Sequence, residues 1–143
     1  QADLAVFNSG SIRLDDVLTG TITEYDILRS FPFGGGISLA NLKGDVIERL
    51  LETGTVTNLG IGGYLQLANA EKKEDGWYIK GQKLSQTQTY TLALPQFVMK
   101  GGEANLEFLK NYESLATNPA EFNGLKNDVR DIIMAYFRQL PQN

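Results

Sequence analysis

Ala2-Asp3-Leu4-Ala5-Val6-Phe7-Asn8-Ser9-Gly10-Ser11-Ile12-Arg13 opens the chain with four apolar residues in a row, then an Asn-Ser-Gly turn, then an arginine. An apolar run of this length, closed by turn residues, reads as a buried strand over Asp3 to Asn8, with Arg13 just past its end. Further along, Thr23 with Asp26 three residues on predicts a helix N-terminus, and Pro32 forces that helix to stop by Ser30 or Phe31. Gly36 to Leu42 predicts a strand with Ile37, Leu39 and Asn41 on one face and Ser38 and Ala40 on the other. A second helix is expected from about Asp45 to Thr53, with Val46, Ile47, Leu50 and Leu51 inward and Gly54 at its stop. Tyr64 to Asn69 and Trp77 to Lys80 read as strands of a meander that turns at Asp75-Gly76 and carries a charged tip at Glu71 to Asp75. In Thr89 to Leu94, Tyr90, Leu92 and Leu94 alternate with Thr91 and Ala93 until Pro95 ends the strand. Asn105 to Asn111 predicts a short helix. After a loop at 116–123, a last helix from about Leu125 to Gln139 carries Val129, Ile132, Ile133, Tyr136, Phe137 and Leu140 as one apolar stripe for the domain's own core. The expected fold class is α+β: a mixed or antiparallel sheet packed by helices, with turns at the strand ends available for a ligand.

The bulk numbers narrow the function classes. A chain of 143 residues with 42% apolar and 21% charged residues is composed like one globular domain, expected over 1–143. A net charge of -4 argues against DNA or RNA polymers, which need clustered Lys and Arg. No apolar run approaches the ~20 residues that span a bilayer, and no charged start followed by an apolar core marks a signal peptide. The absence of Cys removes disulfides, thiol catalysis and thiolate metal sites. The absence of His removes Ser-His-Asp triads and His-based zinc sites.

Two aromatic residues stand on glycine-rich turns: Phe33 in Phe31-Pro-Phe-Gly-Gly-Gly36, and Phe97 in Leu94-Pro-Gln-Phe-Val-Met-Lys-Gly-Gly102. Two such rings could hold a flat ligand between them. Asn8 and Arg13 add an amide and a guanidinium, and an arginine fork suits phosphate or carboxylate, so the inventory suggests a nucleotide. Plainer readings stand beside this one. Either ring could fill the core, Arg13 could pair with Asp15 or Asp16, and Asn8 could serve only as a turn-former. Gly34 to Gly36 is not a phosphate loop, because it follows a helix, leads into a strand and precedes no Gly-Lys-Ser/Thr. The acidic pairs Asp15-Asp16 and Glu74-Asp75 read as solvated turns.

The order of Ala2 to Arg13, Gly20-Thr-Ile-Thr23, Phe31-Pro-Phe-Gly34, Leu42-Lys-Gly44, Gly63-Tyr-Leu-Gln66, and Tyr90 through Gly101-Gly102 resembles the C-terminal domain of the 5′-nucleotidase family over roughly residues 2 to 110. That domain grips the nucleoside end of the substrate, while a separate N-terminal metallophosphatase domain holds divalent metal ions and hydrolyses the phosphate ester. The resemblance implies that Phe33 and Phe97 sandwich the base and that Arg13 points to the ribose and phosphate side. It implies that Asn8 contacts the ligand or braces its turn, and that Glu103 stands where the family has a ribose-binding aspartate. It further implies that the metallophosphatase domain and the domain's first helix are absent from this chain, which would then carry no cofactor and be inactive alone. Its expected partners are a nucleotide or nucleoside and the covalently linked metallophosphatase domain, in a periplasmic, secreted or cell-surface setting. Two departures are visible. The family's Gly-Gly-Asp-Gly is Gly101-Gly102-Glu103-Ala104, and Gly35 replaces an Asn that reads the base edge in some bacterial members. The alternatives are a non-catalytic module with a drifted site, or the domain of a related cyclic-nucleotide, nucleotide-sugar or sulfur-compound hydrolase. The retained aromatic pair favours a nucleotide.

Overall fold

The apolar rows of the sequence meet in one five-stranded sheet. In this computed structural model, which describes residues 1–141, the strands are β1 (Leu4–Asn8), β2 (Ile37–Lys43), β3 (Leu65–Ala68), β4 (Ala70–Lys73), β5 (Gly76–Ile79), β6 (Gln82–Lys83), β7 (Thr89–Pro95), β8 (Ala116–Thr117), β9 (Glu121–Phe122) and β10 (Leu125–Lys126). The helices are α1 (Glu24–Ser30), α2 (Gly44–Glu52), α3 (Gln96–Met99) and α4 (Val129–Gln139). Gln142 and Asn143, within the span expected as one domain, lie outside the described residues. The main sheet runs β3-β1-β7-β2-β8 and is mixed: β1 pairs parallel to β7 and antiparallel to β3, and β2 pairs antiparallel to β7 and β8.

Alternation puts Leu4 and Val6, Ala40 and Leu42, and Tyr90, Leu92 and Leu94 on one sheet face, all buried. They pack with Ile47, Leu50 and Leu51 of α2 and with Val98, Met99, Leu106 and Leu109. Each fully buried Leu or Ile contributes about 1.5–3 kcal/mol relative to exposure. Trp77 and Ile79 bring the small β4-β5-β6 sheet onto the same core, and the Trp77 indole N–H donates to Glu52 Oε1 at 3.0 Å. The opposite face of the main sheet is half-buried. Ala5, Phe7, Leu39 and Ala93 floor an apolar hollow of about 830 Å³ there, edged by Gln1, Phe122 and Ile132.

Several expectations need correction. Tyr64 to Asn69 does not share a meander with Trp77 to Lys80, because β3 pairs with β1 in the main sheet while β5 pairs with β4, which occupies most of the expected charged tip. Gly54 does not stop the second helix, because the chain continues through a π-turn over Thr53–Thr57. Gly54 is instead buried against Leu65, with no room for a side chain, so its role is close packing. The last helix does not begin near Leu125. Asn123-Gly124, with φ of 48° and 83°, makes a two-residue hairpin turn between β9 and β10, and Asp128 then caps α4 by accepting from the Arg130 N–H. Finally, the α4 stripe does not reach the core, whose face α2 and the 96–109 segment already fill. Val129 alone on α4 is buried, while Tyr136, Phe137 and Leu140 are exposed. The expected short helix over 105–111 forms as a 3-10 helix shifted to Glu107–Leu115.

The strand directions decide where loops gather. Because β1 and β7 are parallel, both end at the same edge of the sheet. Because β2 and β3 run antiparallel to them, both begin there. Residues 9–13, 33–36, 60–63 and 96–103 therefore converge on one edge.

Candidate functional site

That edge opens into a cleft of about 690 Å³, within the size range of small-molecule sites. Its walls include Phe33, Phe97, Asn8 and Glu103, together with Gln96 and Lys100.

Phe33 is delivered by α1. Thr23 and Asp26 form a capping box, with the Thr23 hydroxyl accepting from the Asp26 N–H at 3.2 Å and the Asp26 carboxylate accepting from the Thr23 N–H at 2.8 Å. The bond from the Thr23 backbone, above all, holds the Asp26 carboxyl below the usual carboxylate range. Pro32 cannot continue the helix. Gly34 and Gly35, at φ of 61° and 96°, then swing the chain into β2, and these values are why glycine stands at both positions. Phe33 is left 68% exposed. Phe31 turns inward and meets Phe7 edge to face, with centroids 5.9 Å apart.

Phe97 lies on α3, entered through Pro95. Val98 and Met99 are drawn into the core, which leaves Phe97 facing out at 55% exposure. Its ring rests on Gly102, where an added Cβ would lie 2.6 Å from Phe97 Cε1. Among the described residues, the paired rings are Phe7–Phe31 and Tyr136–Phe137, both edge to face, so neither cleft ring is paired with another ring.

Asn8 and Glu103 meet at the cleft floor. The Asn8 side-chain N–H donates to Glu103 Oε2 at 2.9 Å, and the Ala104 N–H donates to Glu103 Oε1 at 3.1 Å. Each carboxylate oxygen thus keeps lone-pair capacity. Asn8 is 3% exposed, and among the described residues its Oδ1 is the buried side-chain acceptor left without a partner. Arg13 does not wall the cleft. Its guanidinium sits 5.8 Å from the Phe33 ring centroid and donates to the Gly10 carbonyl at 3.3 Å. The Arg13 N–H donates to the Ser30 carbonyl at 2.8 Å, tying this turn to the end of α1.

Sequence reasoning missed Gln96, Lys100 and Asn58. Gln96 and Lys100 flank Phe97 and share its wall, and proximity to that ring was the one signal that could have found them. Asn58 is fully buried and works as a brace. Its side-chain N–H groups donate to the Gly63 carbonyl at 3.0 Å and the Ala104 carbonyl at 2.9 Å, and its oxygen accepts from Asn105 at 2.8 Å. It locks the 60–63 turn to the segment carrying Glu103.

The arrangement offers two free ring faces, a partly used carboxylate and two nearby cations. Among the described residues, no group of three or more His, Cys, Asp or Glu side chains is placed to hold a metal ion. Nor is any described helix long and apolar enough to cross a membrane.

The family model for the 5′-nucleotidase C-terminal domain matches residues 1–111. Protein UshA of Yersinia enterocolitica is 32% identical over 127 residues, covering 85% of this chain and 22% of that protein. A 5′-nucleotidase of Vibrio cholerae is 32% identical over 108 residues, covering 72% of this chain and 19% of that protein. The chain therefore spans about a fifth of the length of these curated relatives. In fold, it superposes on the 5′-nucleotidase precursor of Thermus thermophilus with a TM-score of 0.72 at 22% identity, over 96% of this chain and 29% of that one. The Haemophilus influenzae NAD nucleotidase gives 0.66 at 17%, over 96% and 27%. The mixed sheet, its helices and the matched sequence agree: the chain belongs to the 5′-nucleotidase C-terminal domain family.

Proposed function

We propose that this chain binds the nucleoside end of a nucleotide on behalf of a 5′-nucleotidase-type phosphohydrolase, with the base held between Phe33 and Phe97. The observation that carries the reading is the pair of exposed, unpaired rings, which are far apart in the sequence and wall one cleft. Every base presents a π face, and an aromatic contact is worth about 0.5–1.5 kcal/mol beyond area burial. Glu103 is the acceptor for ribose hydroxyls, and Asn8 orients it. Arg13, beside Phe33, would turn from the Gly10 carbonyl to reach the ribose and phosphate side. The chain acts as one domain. Metal-assisted attack of water on the phosphate belongs to a metallophosphatase domain linked to it in the parent protein, in a periplasmic, secreted or cell-surface setting.

The test is an NMR titration of this chain with adenosine and AMP, repeated on Phe33→Ala and Phe97→Ala. Shifts localised to the cleft and weakened in both variants support the base sandwich. A folded wild type with no response sinks it and favours a non-catalytic module, a reading supported by the Asn8 and Ala104 bonds that already engage Glu103. The purified chain alone is expected to show no nucleotidase activity with added divalent metal.

A further inference from the structure

The Phe33 ring is largely in solvent, so its position depends on the backbone that carries it. That backbone has little hydrogen bonding of its own: the Gly34 N–H reaches the Phe31 carbonyl only at 3.4 Å. Its support comes from elsewhere: α3 holds the last glycine, with the Gln96 N–H donating to the Gly36 carbonyl at 2.9 Å, and the start of α4 holds the residues on either side of it. The Val129 N–H donates to the Gly35 carbonyl at 2.8 Å. The Asn127 side chain accepts from the Ile37 N–H at 2.8 Å and donates to the Ile37 carbonyl at 2.8 Å and the Pro119 carbonyl at 2.7 Å. The Arg130 guanidinium is pressed onto Gly34, where an added Cβ would fall 2.6 Å from Nη2 and 2.9 Å from Cζ. Asp128 holds that guanidinium through Nε–Oδ1 at 3.2 Å and Nη2–Oδ2 at 3.3 Å. The pairing with Arg130, above all, keeps the Asp128 carboxyl below its usual range, so the fork is charged at neutral pH.

The approach to Phe33 rests on the same helix. Ile22, Thr23, Glu24 and Ile27 face Met134, Phe137 and Arg138 across a small hollow, and Arg138 pairs with Glu24 at 2.7 Å. Both flanks of Phe33 are therefore supported by α4 and the residues leading into it, beyond the residues 1–111 matched by the family model.

We propose that Asn127, Val129 and Arg130 are positioning residues that clamp the Phe33 loop and fix where one of the two cleft rings stands. The clamp rests on the nucleoside-binding reading for its ligand, but not for the loop. Arg130 is the residue to vary, because its side chain is partly exposed and its backbone bonds stay in place. In Arg130→Ala, ¹⁵N relaxation without ligand is expected to show Gly34, Gly35 and Gly36 amides falling toward flexible order parameters, below about 0.6. With AMP, Kd is expected to rise about three- to tenfold, with a smaller ring-current shift on the adenine protons. Global melting should stay close to wild type. Arg130→Lys should behave like Arg130→Ala, since an ammonium cannot reproduce the planar fork. Unchanged Gly34–Gly36 relaxation in Arg130→Ala overturns the clamp. So does a loosened loop with unaltered AMP affinity and ring-current shift, and so does full rescue by lysine. If the wild type binds no AMP, the nucleoside-binding reading fails, and the relaxation comparison alone decides the clamp.

Discussion

Gly102→Ala separates the position of the Phe97 ring from its chemistry. Gly102 does not stand in the left-handed region, so alanine is tolerated by the backbone, and the difficulty is the ring resting on it. The new Cβ would lie 2.6 Å from Phe97 Cε1, 2.9 Å from Cδ1 and 3.0 Å from Cζ. Carbon atoms settle at about 3.5–4.0 Å, so the ring must retreat by roughly 1 Å. The retreat is inexpensive for folding, because Phe97 is more than half exposed and can rotate away into solvent. It is expensive for a stacked base. A gap of about 0.5–1 Å forfeits a quarter to a half of a van der Waals well, and loss of the whole aromatic contact costs about 0.5–1.5 kcal/mol. The expected result is a melting temperature within a few degrees of wild type and an AMP Kd raised about two- to twelvefold. The assay pairs thermal unfolding with NMR titration. Unchanged affinity in a variant whose Phe97 resonances have moved would refute the reasoning. A collapse in stability would show that the ring is part of the core.

Three further outcomes follow from the packing and the charges. Leu92→Ala removes a fully buried side chain from the central strand and should cost about 2–5 kcal/mol in urea denaturation; a loss under about 1 kcal/mol would contradict the assigned core. Asp3 accepts from the Thr91 N–H at 2.8 Å and pairs with Lys80 at 3.3 Å, and the Thr91 bond, above all, depresses its pKa. A carboxylate depressed in the folded state contributes stability above its unfolded pKa and loses it as pH falls through the folded value. Asp3→Asn should therefore melt lower at pH 7 and lose less on acidification below about pH 4, whereas parallel stability–pH curves would remove Asp3 from the β1–β7 tie. Asn58→Ala leaves the Gly63 and Ala104 carbonyls unpaired and should destabilise by about 1–3 kcal/mol; a neutral effect would deny the brace.

Much of this structure was legible because its signals are local. The Thr23–Asp26 spacing marked the α1 start, and Pro32 its end. Alternation in 89–94 marked the central strand, and glycine-flanked aromatics marked both cleft rings. Other local signals competed and lost: Leu125 reads as the start of the last helix, yet Asn123-Gly124 claims it for a hairpin, and Gly54 reads as a stop though it is a packing contact with Leu65. The braces were illegible for another reason. Asn58 reaches 46 residues to Ala104, and Asn127 reaches 90 residues to Ile37, separations at which neighbouring residues carry no trace of the bond. Asn8, Phe33, Phe97 and Glu103 do meet in one cleft. Arg13 stays outside its wall because its guanidinium turns back to Gly10.

Intermolecular NOEs would report whether a base lies between Phe33 and Phe97. With selectively labelled phenylalanine and saturating adenosine, the expected contacts run from the adenine H2 and H8 protons to both rings. Contacts to one ring only, or from the ribose alone, would contradict that placement.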